Sequence, residues 1–146
     1  MGADESRRPR EHLDRSRSRS WALQVLYRWE AAPEESLPQA LERTLQTRSV
    51  SPRRTIYLER LIDTLDAHLE DVDAVLSAAL SNWTLERLST VDRSVLRIGA
   101  TELLHFDDVP PKVSIREAML VAEQYGGPDS PGFVNGVLDA VYKREA

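Results

Sequence analysis

The sequence has no cysteine, which excludes disulfide bonds, zinc–thiolate sites and catalysis by a thiol. Its three histidines, His12, His68 and His105, are far apart and lack metal-ligand spacing, so we expect neither a metal site nor a cofactor. No run approaches the roughly 18 consecutive apolar residues that a membrane span needs, and no secretory signal follows the N-terminal charges. The sequence therefore predicts a cytoplasmic protein that does not contact a membrane.

Motifs that commonly carry catalysis are also missing. The sequence has no G-x-S-x-G motif and no P-loop, and its six glycines form no phosphate-binding loop after a strand. The stretch GGPDSPG lies between two helical patterns, where turn formation explains its glycines. Because no set of reactive groups converges, the sequence favours a binding protein over an enzyme and offers no catalytic residue.

Positive charge is scarce overall and concentrated near the N-terminus. The 146 residues carry a net charge of −5, whereas residues 1–20 contain six arginines against four acidic residues. The stretch DRSRSRSWALQVLY leads from alternating arginine and serine directly into a helical apolar pattern. Two interpretations are open: a solvated tail, or an arginine-rich segment that grips RNA phosphates. We expect residues 1–15 to form a disordered basic tail and residues 16–146 to form one domain.

Helical periodicity runs through the rest of the chain, and no convincing strand pattern interrupts it. We predict an all-α fold of six or seven helices, the first from about Ser16 to Ala31. The leucine stripe over residues 58–80 predicts either one long helix or two helices with a slight bend. Ser114 and Glu117 have the spacing of a capping box, which predicts a helix start near Ser114.

Two features of the helix predicted after residue 89 indicate tertiary contacts. Gly99 lowers helix propensity, and close approach of a neighbouring helix would explain its presence. Arg93 and Arg97 are like charges about one turn apart, which is unfavourable unless each has an acidic partner. We therefore expect tight packing at Gly99 and tertiary ion pairs from both arginines.

Four stretches of the chain together resemble the NusB family of bacterial transcription antitermination factors. They are RSRSWALQVLY, NWTLERLSTVDRSVLRIGATELL, DVPPKVSIREAMLVAEQYG and DSPGFVNGVLDAV, in the family's order, and the likeness covers roughly residues 15–142. The resemblance implies an all-α domain of two packed helical bundles without enzymatic activity. It also implies two partners, boxA RNA in nascent ribosomal RNA transcripts and NusE, the small ribosomal subunit protein. That assembly joins RNA polymerase with NusA and NusG, and some family members form homodimers.

The resemblance also assigns roles to individual positions. Residues that match the family's RNA-contacting positions are Arg15, Arg17, Arg19, Asp129 and Phe133. Residues that match its NusE-facing positions are Tyr27 and Asp92. Glu123 stands where the family more often has lysine, which removes a candidate phosphate contact, and Arg116 stands where it more often has asparagine.

Two other interpretations of the sequence remain. The N-terminal part of an rRNA cytosine methyltransferase also resembles NusB, but such chains continue into a much longer cofactor-binding domain that this sequence does not contain. A general helical protein-interaction module, whose arginine tail is incidental, would lack affinity for NusE. Because the body is acidic and the basic arm is small, we expect weak RNA binding without a basic partner.

Overall fold

Six α-helices make up most of the described chain. The computed structural model describes the backbone of residues 2–145 and the side chains of residues 9–145. The helices are α1 (Gly2–Ala31), α2 (Leu37–Thr47), α3 (Pro52–Ala79), α4 (Thr90–His105), α5 (Pro111–Tyr125) and α6 (Ser130–Glu145). A short 3₁₀ helix, Leu85–Arg87, lies between α3 and α4. The predicted all-α fold is confirmed.

The helices form two bundles that meet in one hydrophobic core. Helices α1, α2 and α3 pack together on one side, α4, α5 and α6 pack on the other, and α4 also contacts α1 and α3. Every residue of α4 from Ser94 to Glu102 is buried. At Gly99, an added Cβ would lie 2.5 Å from Leu138 Cδ1 of α6, so the expected close approach is confirmed. Helix α4 is therefore the central element of the fold.

Helix α1 begins at Gly2, whereas the apolar pattern predicted a start near Ser16. Charged contacts attach the preceding turn to the body: Arg54 Nε lies 3.3 Å from Asp14 Oδ1, and Arg15 Nη2 donates to Asp108 Oδ2 at 2.9 Å. Such ion pairs produce no apolar periodicity in the sequence, so the pattern does not reveal the part of the helix before Ser16. The predicted boundary between tail and domain at residue 15 therefore lies inside α1. Met1 and the side chains of residues 2–8, which belong to the predicted disordered tail, lie outside the described residues.

The predicted capping box of α5 is wrong. The helix begins at Pro111, and Ser114 and Glu117 are both buried within it. Glu117 instead accepts hydrogen bonds from α1, as described next. A capping box does occur at α2, where Ser36 Oγ accepts from the Gln39 N–H and the Gln39 side chain accepts from the Ser36 N–H.

A buried polar network centred on Arg19 joins four helices. The Arg19 side chain is 2% exposed; its Nε donates to Glu102 Oε2 of α4 at 2.7 Å and its Nη1 donates to Glu117 Oε1 of α5 at 3.0 Å. Tyr57 of α3 donates its hydroxyl to the same Glu102 oxygen at 2.6 Å, and Ser16 Oγ donates to Glu117. The network connects α1 to both halves of the fold.

The charges of this network keep its groups in fixed protonation states. Burial lowers the pKa of Arg19, but the carboxylates of Glu102 and Glu117 outweigh that effect and raise it, so the guanidinium stays charged. Burial and the Glu102 carboxylate raise the pKa of the Tyr57 hydroxyl above its usual range, so this group stays a hydrogen-bond donor. Removing the cation would leave two buried carboxylates without compensation.

Helix α3 is one long helix that bends at His68. The backbone angles there are φ −125° and ψ 20°, outside the helical region. This agrees with the sequence prediction of either one long helix or two helices with a slight bend. The His68 ring stacks on that of His105 in α4, with ring centroids 4.0 Å apart. Burial and the neighbouring His68 lower the pKa of His105 from its ordinary value of 6.5, against a smaller opposing effect of Asp71.

We expect Arg19→Met to lower the free energy of unfolding by about 3–5 kcal/mol, because Glu102 and Glu117 would stay buried without their cation. Arg17→Met is the matched control: Arg17 is exposed on the same helix, so its loss should change stability by no more than about 0.5 kcal/mol. Urea unfolding followed by circular dichroism measures both. Equal losses in the two variants would contradict a structural role for Arg19.

We expect Gly99→Val to lower the free energy of unfolding by about 1–3 kcal/mol, because the new side chain would overlap the buried Leu138. Gly136→Ala in α6 should have the opposite sign and stabilise by about 0.5–1 kcal/mol, since an added Cβ there meets no atom within 4 Å. Thermal unfolding distinguishes the two outcomes. A neutral Gly99→Val variant would show that α4 and α6 can separate without cost.

We expect stability to fall when the pH drops from about 7.5 towards 5. The folded state favours neutral His105, so this contribution is complete above the ordinary pKa of 6.5 and is lost as the pH falls through the lower folded pKa. Urea midpoints across this range would record the effect. His105→Gln should flatten the dependence, and an unchanged pH profile in that variant would argue against the stacked pair as its source.

Candidate nucleic-acid and partner interfaces

The alternating arginines of α1 do not form one stripe. Successive residues of an α-helix are rotated by about 100°, so residues two apart point to opposite sides while residues four apart share a side. Arg15 and Arg19 therefore face the body of the protein, and Arg17 faces away from it. Burial agrees: Arg19 is buried, Arg15 is half-buried and Arg17 is exposed.

The structure corrects the RNA contact predicted for Arg19, since its guanidinium lies in the core between two carboxylates. Arg15 is partly occupied: it is paired with Asp108, and its Cζ lies 4.7 Å from the centroid of the Tyr57 ring. Arg60 also donates to Asp108, and these guanidinium groups, Arg60 first, hold the pKa of that carboxyl well below its usual range. Of the three predicted arginines, Arg17 alone is exposed and has no carboxylate partner among residues 9–145, and its RNA contact stays a prediction.

A second group of predicted residues meets at one cleft. Asp92, Asp129 and Phe133 all line a cleft of about 340 Å³, together with Trp83 and Arg87. Asp129 is exposed in the connection between α5 and α6, and Phe133 is half-buried in the first turn of α6. The structure therefore places a predicted NusE-facing residue beside two predicted RNA-facing residues. Tyr27 does not line this cleft and stands on α1, where its side chain is 54% exposed.

Asp92 lies in the first turn of α4, which Ser89 caps. The Asp92 N–H donates to Ser89 Oγ at 3.1 Å, so the carboxylate sits where the helix dipole favours negative charge. Among the described residues, nothing donates to Asp92 Oδ1, although that atom is shielded from solvent. The Asp92 side chain is half-buried and lines the cleft, so its carboxylate adds negative charge there.

An ion-pair cluster holds this region in place and confirms the acidic partners expected for Arg93 and Arg97. Arg93 pairs with Glu30 at the end of α1, and Arg97 pairs with Asp73 of α3 at 2.9 Å and with Glu30 at 3.3 Å. Arg93 Nη1 also donates to the carbonyls of Leu85 and Leu88, at 3.1 and 2.7 Å. The 3₁₀ helix beside Trp83 is thereby attached to the ends of α1 and α4.

The chain also brings to Arg17 several residues that sequence reasoning did not single out. Arg17 lines a cleft of about 320 Å³ with Trp21, Arg48, Arg54 and Tyr125. Arg48 and Arg54 flank the start of α3, far from Arg17 in sequence. The helical rotation could have identified Trp21, one turn after Arg17, but no local pattern predicts that the other three approach it.

Residues 9–145 contain neither a metal-binding cluster nor a membrane-spanning helix. No three histidine, aspartate or glutamate side chains in that range are close enough together to hold a metal ion. None of the helices described is both long and apolar enough to cross a membrane.

Comparison with known proteins identifies the family. The NusB family profile matches residues 16–143. The chain is 34% identical over 130 residues to the transcription antitermination protein NusB of Chloroherpeton thalassium, covering 89% of this chain but 62% of that protein's length.

Two solved structures share the fold. T. maritima NusB matches with a TM-score of 0.81 and 38% identity over 88% of this chain and 90% of its own. A chain from a crystal structure of the antitermination factors NusB and NusE in complex with dsRNA matches with a TM-score of 0.78 and 29% identity, covering 90% of this chain and 97% of that one. The protein described here therefore belongs to the NusB family, a family of non-enzymatic transcription antitermination factors.

Proposed function

We propose that this protein pairs with NusE, binds boxA RNA in nascent ribosomal RNA transcripts, and joins RNA polymerase with NusA and NusG in the cytoplasm. The observation that carries the proposal is that Asp92, Asp129 and Phe133 line one open cleft, at positions that resemble the family's partner and RNA contacts. The solved NusB–NusE structure with dsRNA supports it, because its NusB chain has the same fold.

On the RNA side, Arg17 contacts a phosphate and Phe133 offers a ring for base stacking. Asp129 is exposed beside Phe133 and can accept a hydrogen bond from a base amino group. Arg15 contributes only if RNA competes with Asp108 for its guanidinium. Arg19 acts indirectly, by holding α1 against α4 and α5 so that Arg17 keeps its orientation.

On the partner side, Asp92 offers a half-exposed carboxylate at the cleft to a cationic group of NusE, and Tyr27 offers an exposed ring on α1. A net charge of −5 steers a basic protein towards this surface and repels RNA from the isolated chain. The two partners therefore contribute unequally: NusE supplies much of the positive charge that RNA requires. Self-association through these surfaces stays a prediction, which a mass measurement of the free protein would test.

We expect boxA RNA to bind weakly to this protein alone and at least about tenfold more tightly when NusE is added, because few phosphates are neutralised by the free chain. Gel-shift titration with and without NusE measures the difference. Equal affinities with and without NusE would refute the division of charge between the partners.

In the complex, Arg17→Gln should weaken RNA binding by about three- to tenfold, whereas Arg43→Gln, an equal charge change on α2, should not.

A further inference from the structure

The cleft beside Arg17 concentrates cationic and aromatic side chains. It lies between α1, the connection from α2 to α3 and the C-terminal end of α5, and has a volume of about 320 Å³. Arg17, Arg48 and Arg54 line it with Trp21 and Tyr125, and no acidic residue lines it. In a protein with a net charge of −5, three arginines around one cleft form a local positive site.

Much of this positive charge is uncompensated. Among residues 9–145, no carboxylate lies within ion-pair distance of Arg17 or Arg48, and both side chains are exposed. Arg54 is paired with Asp14 through Nε at 3.3 Å. Its Nη1 and Nη2 atoms make no hydrogen bond to any of residues 9–145. Arg15, Arg60, Arg93 and Arg97, in contrast, are all paired with carboxylates.

The cleft is held in shape before any ligand binds. Arg48 ends α2, where its N–H donates to the Thr44 carbonyl at 2.9 Å, and its guanidinium lies over the Trp21 ring, 5.6 Å from the centroid. The buried Ser18 hydroxyl donates to the Arg54 carbonyl at 2.7 Å, which attaches the start of α3 to α1. Pre-organised cations lose less conformational entropy on binding than freely moving ones.

Tyr125 brings the cleft near the second predicted RNA site along the chain, since Gly127, two residues later, lines the cleft that contains Asp129 and Phe133. Tyr125 ends α5 with a side chain that is 40% exposed, Asp129 lies in the α5–α6 connection that follows, and Phe133 lies in the first turn of α6. Tyr125 therefore adds an exposed aromatic ring to the three arginines of this cleft. An exposed ring at this point favours unpaired bases, because bases within a duplex are already stacked.

We propose that this cleft is a single-stranded RNA subsite, in which Arg48 and Arg54 contact phosphates and Tyr125 stacks on a base. Trp21 is a positioning residue that keeps the Arg48 guanidinium over the cleft. The inference rests on the RNA-binding function proposed above. It extends the RNA contacts from α1 and α6 to the start of α3 and the end of α5, through residues that the family resemblance did not assign.

The test is fluorescence anisotropy of a single-stranded RNA that contains boxA, titrated at several salt concentrations with the NusE complex and with the protein alone. Arg48→Gln should weaken binding by about three- to tenfold and reduce the slope of log affinity against log salt by about 0.7, the loss of one phosphate contact. Arg43→Gln is the matched control, since Arg43 lies in a separate depression lined by Glu34, Glu35 and Glu42.

Tyr125 has its own pair of variants. Tyr125→Ala should weaken binding by about fivefold or more with an unchanged salt slope, and Tyr125→Phe should keep wild-type affinity, because stacking requires only the ring. Circular dichroism and NusE affinity should be unchanged in every variant, which separates a lost contact from a lost fold.

The outcomes distinguish this inference from the function on which it rests. If the wild-type complex does not bind the RNA, the proposed function fails. If it binds and Arg17→Gln weakens it, but Arg48→Gln and Tyr125→Ala behave like Arg43→Gln, the function stands and the subsite is refuted. A loss in Arg48→Gln without a change in salt slope would refute the phosphate contact.

Discussion

The position of α1 depends on one buried cation. Arg19 of α1 bonds to Glu102 of α4 and Glu117 of α5, and Tyr57 of α3 bonds to the same Glu102 carboxylate. Apolar packing alone would permit α1 to rotate or slide, since many apolar contacts can be exchanged for similar ones. A guanidinium between two carboxylates permits one orientation, because each donor has a fixed direction. That orientation decides which of the neighbouring arginines faces solvent.

The surfaces on either side of α1 follow from this arrangement. With Arg19 inside, Arg17 points away from the core, towards Arg48, Arg54 and Tyr125. Arg15 lies on the inner side and is partly used by Asp108. At the other end of the helix, Glu30 binds Arg93 and Arg97 and so positions α4, whose first turn carries Asp92. One part of α1 thus lines the basic cleft, and its C-terminal end positions the helix that carries Asp92.

Sequence patterns predicted the helices well and the charged contacts poorly. Five of the helices, α2 to α6, present repeated apolar residues to the core, and that repetition is visible without a structure. The turn of α1 before Ser16 has no such stripe, and there Asp14 and Arg15 contact the body through ion pairs instead. Glu117 shows the same limit: its spacing from Ser114 suited a capping box, whereas its partner is Arg19, 98 residues away. No local pattern contains that information.

The candidate site was predicted in part for the same reason. Asp92 was assigned to the partner and Asp129 and Phe133 to RNA, and all three line one cleft. The three alternating arginines look equivalent in the sequence, but their environments differ. Arg19 is buried, Arg15 is half-buried and paired with Asp108, and Arg17 is exposed. Helical rotation predicts that Arg17 differs from the other two, but burial of Arg19 requires two carboxylates that only the fold brings near it.

The bonds of Arg93 connect two surfaces that are separate in the sequence. This one side chain binds Glu30, one turn after Tyr27, and the carbonyls of Leu85 and Leu88, which bracket the turn next to Trp83. A shift of Glu30 at the end of α1 would therefore disturb the same side chain that holds that turn. The end of α1 and the turn beside Trp83 thus share one guanidinium as their common anchor.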